Sequence, residues 1–192
     1  MNKFLFGKAK RTVEFIARVG VMLALTLVLQ YVVKLISVGN QLAVGSVVNM
    51  MLLFTCMATG VLGGMVVGLC TPFIGMLLGF GGMIAVVPFI AVSNAIYILV
   101  FAFLCKLLKF DITKKVSDIV NILKGVAAVV VGAGVKFLFL YFVVLQFILP
   151  LIMAKMPPAL TVMLGITQLF TALIGGAFAL AIAYPLSRTN VM

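Results

Sequence analysis

The 192-residue chain has no histidine, no tryptophan and only three acidic residues, Glu14, Asp111 and Asp118. Each shortage excludes something. Without histidine or a cluster of acids, a transition-metal site, a histidine-based catalytic triad or a metalloprotease centre is hard to build, and metal uptake is disfavoured with them. Without tryptophan, and with only four tyrosines, a ligand held by extensive aromatic stacking is disfavoured. The three cysteines, Cys56, Cys70 and Cys105, fall in or at the edge of apolar runs at spacings that match no zinc or redox motif, so they read as packing residues. Charge is scarce at 9%, whereas hydrophobic residues make up 66% of the chain and the mean hydropathy is +1.40. That composition specifies an integral membrane protein.

The net charge of +11 does not point to nucleic acid, because the basic residues cluster just outside apolar runs rather than in a stripe with exposed aromatics. The basic start (Lys3, Lys8, Lys10, Arg11) precedes an apolar run that is long and has no small-residue cleavage site, so it reads as the first membrane helix. No soluble domain, low-complexity tract or internal repeat is evident; residues 1–192 read as one integral membrane domain.

A helix needs roughly 20 apolar residues to cross a bilayer. The predicted fold class is all-α, a polytopic membrane protein with six transmembrane helices and both termini cytoplasmic. The spans fall at about 12–36, 43–59, 61–79, 84–107, 120–149 and 160–186, with the second and third separated only by Thr59, Gly60 and their neighbours, as a tight turn or a re-entrant pair. Orientation follows from charge. Lys3, Lys8, Lys10, Arg11 and Arg18, then Lys106, Lys109, Lys114, Lys115 and Lys124, then Arg188 share one side if the span count is even, and Lys34 and Lys155 alone take the other. Small residues recur at four-residue spacing: Gly60, Gly64 and Gly68; Gly75 and Gly79; Ala172, Gly176 and Ala179 or Ala183. These read chiefly as close helix packing inside the bundle. Gly20 and Ala24 form a similar pair near the basic end of span one, where an outside helix has room to dock.

Lys136 lies within an uninterrupted apolar stretch, Val126 to Leu145. A lysine at membrane depth costs about 2.5–3.5 kcal/mol on insertion scales and normally faces a cavity or a partner. All three acids are expected at or near the cytoplasmic face, so the countercharge is expected from a bound anion. Helical rise puts Asn94 roughly 14 Å, Gln168 roughly 13 Å and Lys136 roughly 18 Å below the outer surface, a common layer, with Asn49 nearer the mouth. Tyr97 shares a helix face with Asn94, and Thr171 with Gln168. The plain alternative is a set of interhelical hydrogen bonds, although amides satisfy an ammonium poorly. A proton relay lacks a titratable partner in this layer. The outer connections, 38–46 with Gln41, 79–82 with three glycines, and the segment holding Lys155, Pro157 and Pro158, read equally as lids or as ordinary turns.

In its order of features the chain resembles the substrate-binding S components of energy-coupling factor (ECF) vitamin transporters. The resemblance covers nearly the whole length. It rests on the six spans, the Gly20 and Ala24 pair, Gly45-Ser46-Val47-Val48-Asn49 opening span two, the glycine-rich stretch Gly64 to Pro72, Pro88 to Asn94, and Val135-Lys136-Phe137-Leu138-Phe139. The first-span motif departs from the usual Ala-x-x-x-Ala by starting with Gly20. The resemblance implies a passive binder in the bacterial cell membrane that captures a small vitamin on the extracellular side. Its partners would be a transmembrane coupling subunit, contacted through Gly20 and Ala24, and two cytosolic ATPases. The chain itself would be no enzyme and would carry no cofactor and no metal, in line with its lack of a phosphate loop. The implied substrate contacts are Lys136, Asn94, Gln168, Tyr97, Asn49, Thr171 and Gln41. A small hydroxylated carboxylate suits them, with pantothenate first and pyridoxine or a hydroxymethylpyrimidine close behind. The main rival is a stand-alone secondary transporter of a small organic anion, for which paired broken helices and membrane-embedded acids would be expected. A membrane enzyme would need a nucleophile, base or metal cluster that the layer around Lys136 does not offer.

Overall fold

Every regular element in the described residues is helical. The computed structural model describes residues 12–37, 40–79, 84–113, 119–152 and 157–187. Lys3, Lys8, Lys10, Arg11, Lys114, Lys115, Asp118, Lys155 and Arg188, together with segments 38–39 and 80–82 of the expected lids, lie outside them. The order is α1 (Thr12–Ile36), α2 (Gln41–Thr59), α3 (Val61–Leu77), α4 (Val87–Leu107), α5 (Ile119–Leu138), a π segment (Phe139–Ile148), α6 (Leu149–Ile152), α7 (Pro158–Leu164) and α8 (Ile166–Leu186). Among the described residues five helical stretches are long and apolar enough to cross a membrane, and α3 is a shorter apolar helix. Their outward faces carry large apolar side chains such as Val13, Leu62, Phe103 and Phe147, as lipid contact requires.

Close backbone approach organises the bundle. α2 and α3 are separated by Gly60 alone, whose φ of 90° and ψ of 175° are open to glycine and strained for other residues. Its N–H closes α2 on the Cys56 carbonyl at 3.0 Å. The chain then folds straight back, so tightly that a Cβ on Gly64 would lie 2.9 Å from Cys56 Cβ. Between α2 and α8 the fit is closer still. A Cβ on Gly175 would lie 2.5 Å from the Ser46 carbonyl oxygen, and one on Gly45 would lie 2.7 Å from Thr171 Cγ2. The main core forms around Leu52, Leu53, Tyr97, Phe101, Val129 and Ala179. A second apolar cluster joins Val86, at the start of α4, to the π segment and α7.

Three expectations change. Residues 41–46 of the first predicted lid are the opening turns of α2: the Asn40 side chain accepts from the Leu42 N–H at 3.0 Å, and the Ser46 hydroxyl donates to the Leu42 carbonyl at 2.7 Å. A capped helix start forms there because Asn is a strong N-cap residue. The last span is not one continuous helix. It breaks at Gly165 (φ −88°, ψ −115°), where a Cβ would meet the Thr161 carbonyl oxygen at 2.6 Å, so the turn needs a residue without a side chain. The fifth span changes winding after Leu138. Its buried residues, Leu140, Val144, Leu145 and Leu149, recur at four to five positions, which the wider π turn keeps on one side.

At the other end of the bundle, Asn121 fixes the connection between α4 and α5. Its Oδ1 accepts from the Asp111 N–H at 3.0 Å, and its Nδ2 donates to the Asp111 carbonyl and to the Tyr184 hydroxyl at 3.1 Å. The Ser187 hydroxyl donates to the Ile112 carbonyl at 3.0 Å. Phe110 and Ile112 are thereby held in the interior.

Gly175→Ala should lower the melting midpoint of the detergent-solubilised protein, because the added methyl meets backbone and costs on the order of 1–3 kcal/mol. Gly20→Ala, with nothing within 4 Å of its added Cβ, should leave the midpoint unchanged or raised, since alanine favours the helix. Equal effects of the two variants would refute the packing assignment.

Candidate functional site

The site is built around one ammonium group. Lys136, in the last turn of α5 before the π segment, is 1% exposed. Its Nζ donates to Asn49 Oδ1 of α2 at 2.7 Å and to Asn94 Oδ1 of α4 at 2.8 Å, and it lies 5.6 Å from the centroid of the Tyr97 ring. Both amides are held from behind. Asn49 Nδ2 donates to the Gly45 carbonyl at 2.9 Å and to Thr171 Oγ1 at 3.2 Å, and Asn94 Nδ2 donates to the Gly68 carbonyl at 3.1 Å. An ammonium has no acceptor, and the carbonyls have no donor, so each amide has only one consistent orientation. The Thr171 hydroxyl in turn donates to the Gln168 carbonyl at 3.1 Å. Tyr97 donates its hydroxyl to the Ala172 carbonyl at 2.8 Å, and its ring lies against Gly132, where a Cβ would come within 3.1 Å. Five helices, α2, α3, α4, α5 and α8, are tied together through this one charge.

The lysine faces a cavity of about 220 Å³ lined also by Asn49, Asn94, Gln168 and Gln41. Small-molecule pockets for drug-sized ligands run at about 300–1,000 Å³, so this one suits a smaller molecule. Its wall includes apolar side chains from several helices, among them Val44, Val48, Ile90 and Met163. Of the described acids, Glu14 pairs with Arg18 at 2.6 Å and Asp111 accepts from the Thr113 N–H and hydroxyl, and neither lines the cavity. Two charge-assisted hydrogen bonds, at about 1.5–3 kcal/mol each, are enough to offset the insertion cost of one lysine. The two amides thus account for the burial of the lysine without a carboxylate from the described residues. Both amides are neutral, and no carboxylate among the described residues meets the lysine at the cavity wall.

The structure brings most of the expected residues together. Asn49 is the exception in depth: expected nearer the mouth, it shares the layer of Asn94. α4 begins at Val87 rather than 84, and α2 begins at Gln41 rather than 43, so the two asparagines lie a similar number of residues from their helix starts. Tyr97 and Thr171 were expected as substrate contacts but are not among the residues lining the cavity. Their polar atoms are committed to the protein, Tyr97 to α8 and Thr171 to Asn49, and both side chains are buried behind the wall. Gln30 of α1 and Thr71 of α3, neither expected, do line it. The Thr71 hydroxyl is turned back to the Val67 carbonyl at 2.6 Å. Gln30 was legible in principle, as an amide within an apolar span, by the reasoning that singled out Asn94.

Gly20 and Ala24 lie far from this chemistry, both exposed on α1. Only Val19, Thr26 and Gln30 of that helix are buried. Among the described residues, no group of three or more His, Cys, Asp or Glu is arranged to hold a metal ion.

A family model described as "ECF transporter, substrate-specific component" matches residues 14–187. No curated protein and no solved structure matches the chain. The match begins two residues into α1, takes in the rest of the described apolar helices and every residue of the cavity wall, and on that extent the chain belongs to the family of substrate-specific components of ECF transporters.

Proposed function

We propose that the protein captures a small vitamin-like molecule bearing a carboxylate or another anionic group, and presents it for ATP-driven import. The observation that carries this reading is the buried Lys136 ammonium at the cavity wall, coordinated by two neutral amides and by no carboxylate among the described residues. Membership of the ECF family implies association with an ECF module of coupling and ATPase subunits. Substrate capture is this chain's part, and ATP hydrolysis belongs to the partners. Lys136 binds the anionic group, Asn94 and Asn49 orient the ammonium, and Gln168 and Gln41 contact the remainder of the molecule. Tyr97 and Thr171 act as positioning residues behind them. A cavity of about 220 Å³ with few aromatic side chains favours a compact, hydroxylated carboxylate, and pantothenate fits that chemistry best. Pyridoxine and a hydroxymethylpyrimidine are smaller alternatives, which would offer Lys136 a ring oxygen or nitrogen acceptor in place of a carboxylate.

In this reading residues 1–192 form one membrane domain of six spans in the bacterial cell membrane, with both termini cytoplasmic and the cavity open to the outside. α3, short and packed against α1, α2 and α4, is counted as the third span. Gly20 and Ala24 contact the coupling subunit. Their support is the exposed, unfilled surface around Gly20, on the least buried of the long helices. The break at Gly165 is of a kind also found in stand-alone secondary transporters. Here it lets α7 and α8 meet the cavity wall through Met163 and Gln168.

Lys136→Ala should weaken pantothenate binding more than about tenfold in calorimetry, because it removes a charge-assisted contact from a desolvated site. Elution as a monodisperse species in size exclusion would separate this effect from misfolding; an unchanged affinity would sink the proposal. Gly20→Leu and Ala24→Leu should bind pantothenate like the wild type yet fail to co-purify with the coupling subunit and fail to support uptake. Lost binding in either variant would place the pair in the substrate site instead.

A further inference from the structure

Gln30 differs from the two asparagines of the cavity. It is 7% exposed, lines the cavity from α1, and its Oε1 has no hydrogen-bond partner among the described residues. Asn49 and Asn94 differ in having both oxygen and nitrogen engaged. So does Thr26 in its own way: one turn before Gln30 it returns its hydroxyl to the Met22 carbonyl at 2.6 Å, as polar residues in membrane helices commonly do. A buried amide oxygen without a donor is rare enough in native proteins to call for a reason. On the helix itself the preceding run Leu27-Val28-Leu29 is apolar, and Lys34, one turn on, donates to the Gly79 carbonyl instead. The cavity offers the reason.

α1 packs on α2 and α3, whereas α5 packs on α4 and α8, so Gln30 and Lys136 reach the cavity from different walls. One wall supplies a positive donor centre and the other an unused acceptor, with Val44, Val48, Met76 and Ile90 contributing apolar surface to the same space. We infer that Gln30 is a specificity-determining residue: its amide oxygen accepts a hydrogen bond from a neutral hydroxyl of the substrate whose anionic or acceptor group is held at Lys136. This rests on the capture-site reading above and narrows it. The substrate carries both an acceptor group and a neutral donor, joined by an apolar portion. A bare alkyl carboxylate, or a molecule anionic at both ends, leaves Gln30 unpaired or opposed and is rejected.

The test uses the full chain in detergent and calorimetry with two probes, pantothenate and the analogue in which both pantothenate hydroxyls are replaced by hydrogen. The wild type should prefer pantothenate by about tenfold, and Gln30→Met should reduce that preference below about threefold, the value of one buried hydrogen bond. Lys136→Ala should weaken both probes. Because Gln30→Met removes an unpaired oxygen and keeps the side-chain length, the ligand-free melting midpoint should be unchanged or raised. A wild-type preference retained in Gln30→Met overturns the inference while leaving the capture site intact, and a lowered midpoint with retained preference assigns Gln30 a structural role instead. If the wild type binds neither probe, native mass spectrometry of the protein isolated from cells identifies the retained small molecule. That compound and its O-methylated derivative then replace the pair, and only the pantothenate reading falls. A wild type that binds neither probe and retains no small molecule overturns both readings.

Discussion

A single ammonium, held between two asparagine oxygens inside an otherwise apolar bundle, sets the terms for the rest of this structure. Lys136 can occupy that depth only if other helices deliver acceptors to it, and Asn49 and Asn94 do so at 2.7 and 2.8 Å. Each asparagine is aimed by a backbone carbonyl behind it, Gly45 for one and Gly68 for the other. Gly45 lies one turn back on the same helix as Asn49, and the Gly68 carbonyl is within reach because α3 and α4 touch at that glycine. The charge, the amides and the close packing are therefore one constraint seen at three scales. In a bilayer, where apolar burial does not draw helices together, packing and interhelical hydrogen bonds are what remain to fix them.

The same constraint shapes the space beside the lysine. Gly165 lets the chain turn between α7 and α8, so that Met163 and Gln168 both face the cavity. The π segment after Leu138 re-registers the later part of the fifth stretch so that Leu140, Val144 and Leu149 pack with Leu160 and Leu164 of α7. Irregular winding of this kind is concentrated where helices line a site. At the opposite end, Asn121 and Ser187 hold the α4 to α5 connection with ordinary hydrogen bonds between polar groups. α1 belongs to both surfaces: Gln30 reaches the cavity, while Gly20 and Ala24 lie exposed nearer its start.

Much of this was legible in the sequence, for reasons that are local. An uninterrupted apolar run must be a membrane helix, and a lysine in its middle must face something polar. The helical rise then sufficed to group Lys136, Asn94 and Gln168. Asn49 was placed too shallow because its depth depends on where α2 starts, and that is set by the Asn40 cap, a feature of a few atoms. Tyr97 and Thr171 were grouped with the ligand contacts because helical spacing gives a shared face but not what that face meets. In three dimensions the Tyr97 hydroxyl meets the Ala172 carbonyl, 75 residues away along the chain, and is no longer available. Gln30, an amide within the first apolar run, carried the same signal in the sequence as Asn94.

The sequence alone determined that the protein is helical and membrane-embedded, which stretches are apolar enough to span, and that Lys136 is the chemically exceptional residue. Composition and periodicity carry these properties because each depends on a segment's own contact with lipid. The tertiary structure alone decided that the lysine is solvated by two amides, that the last apolar stretch breaks at Gly165, and that an unpaired amide on α1 shares the cavity with a cation on α5. Those properties depend on which atoms of distant segments meet at hydrogen-bond distance. That is settled by where backbones can approach one another, and no single segment encodes it.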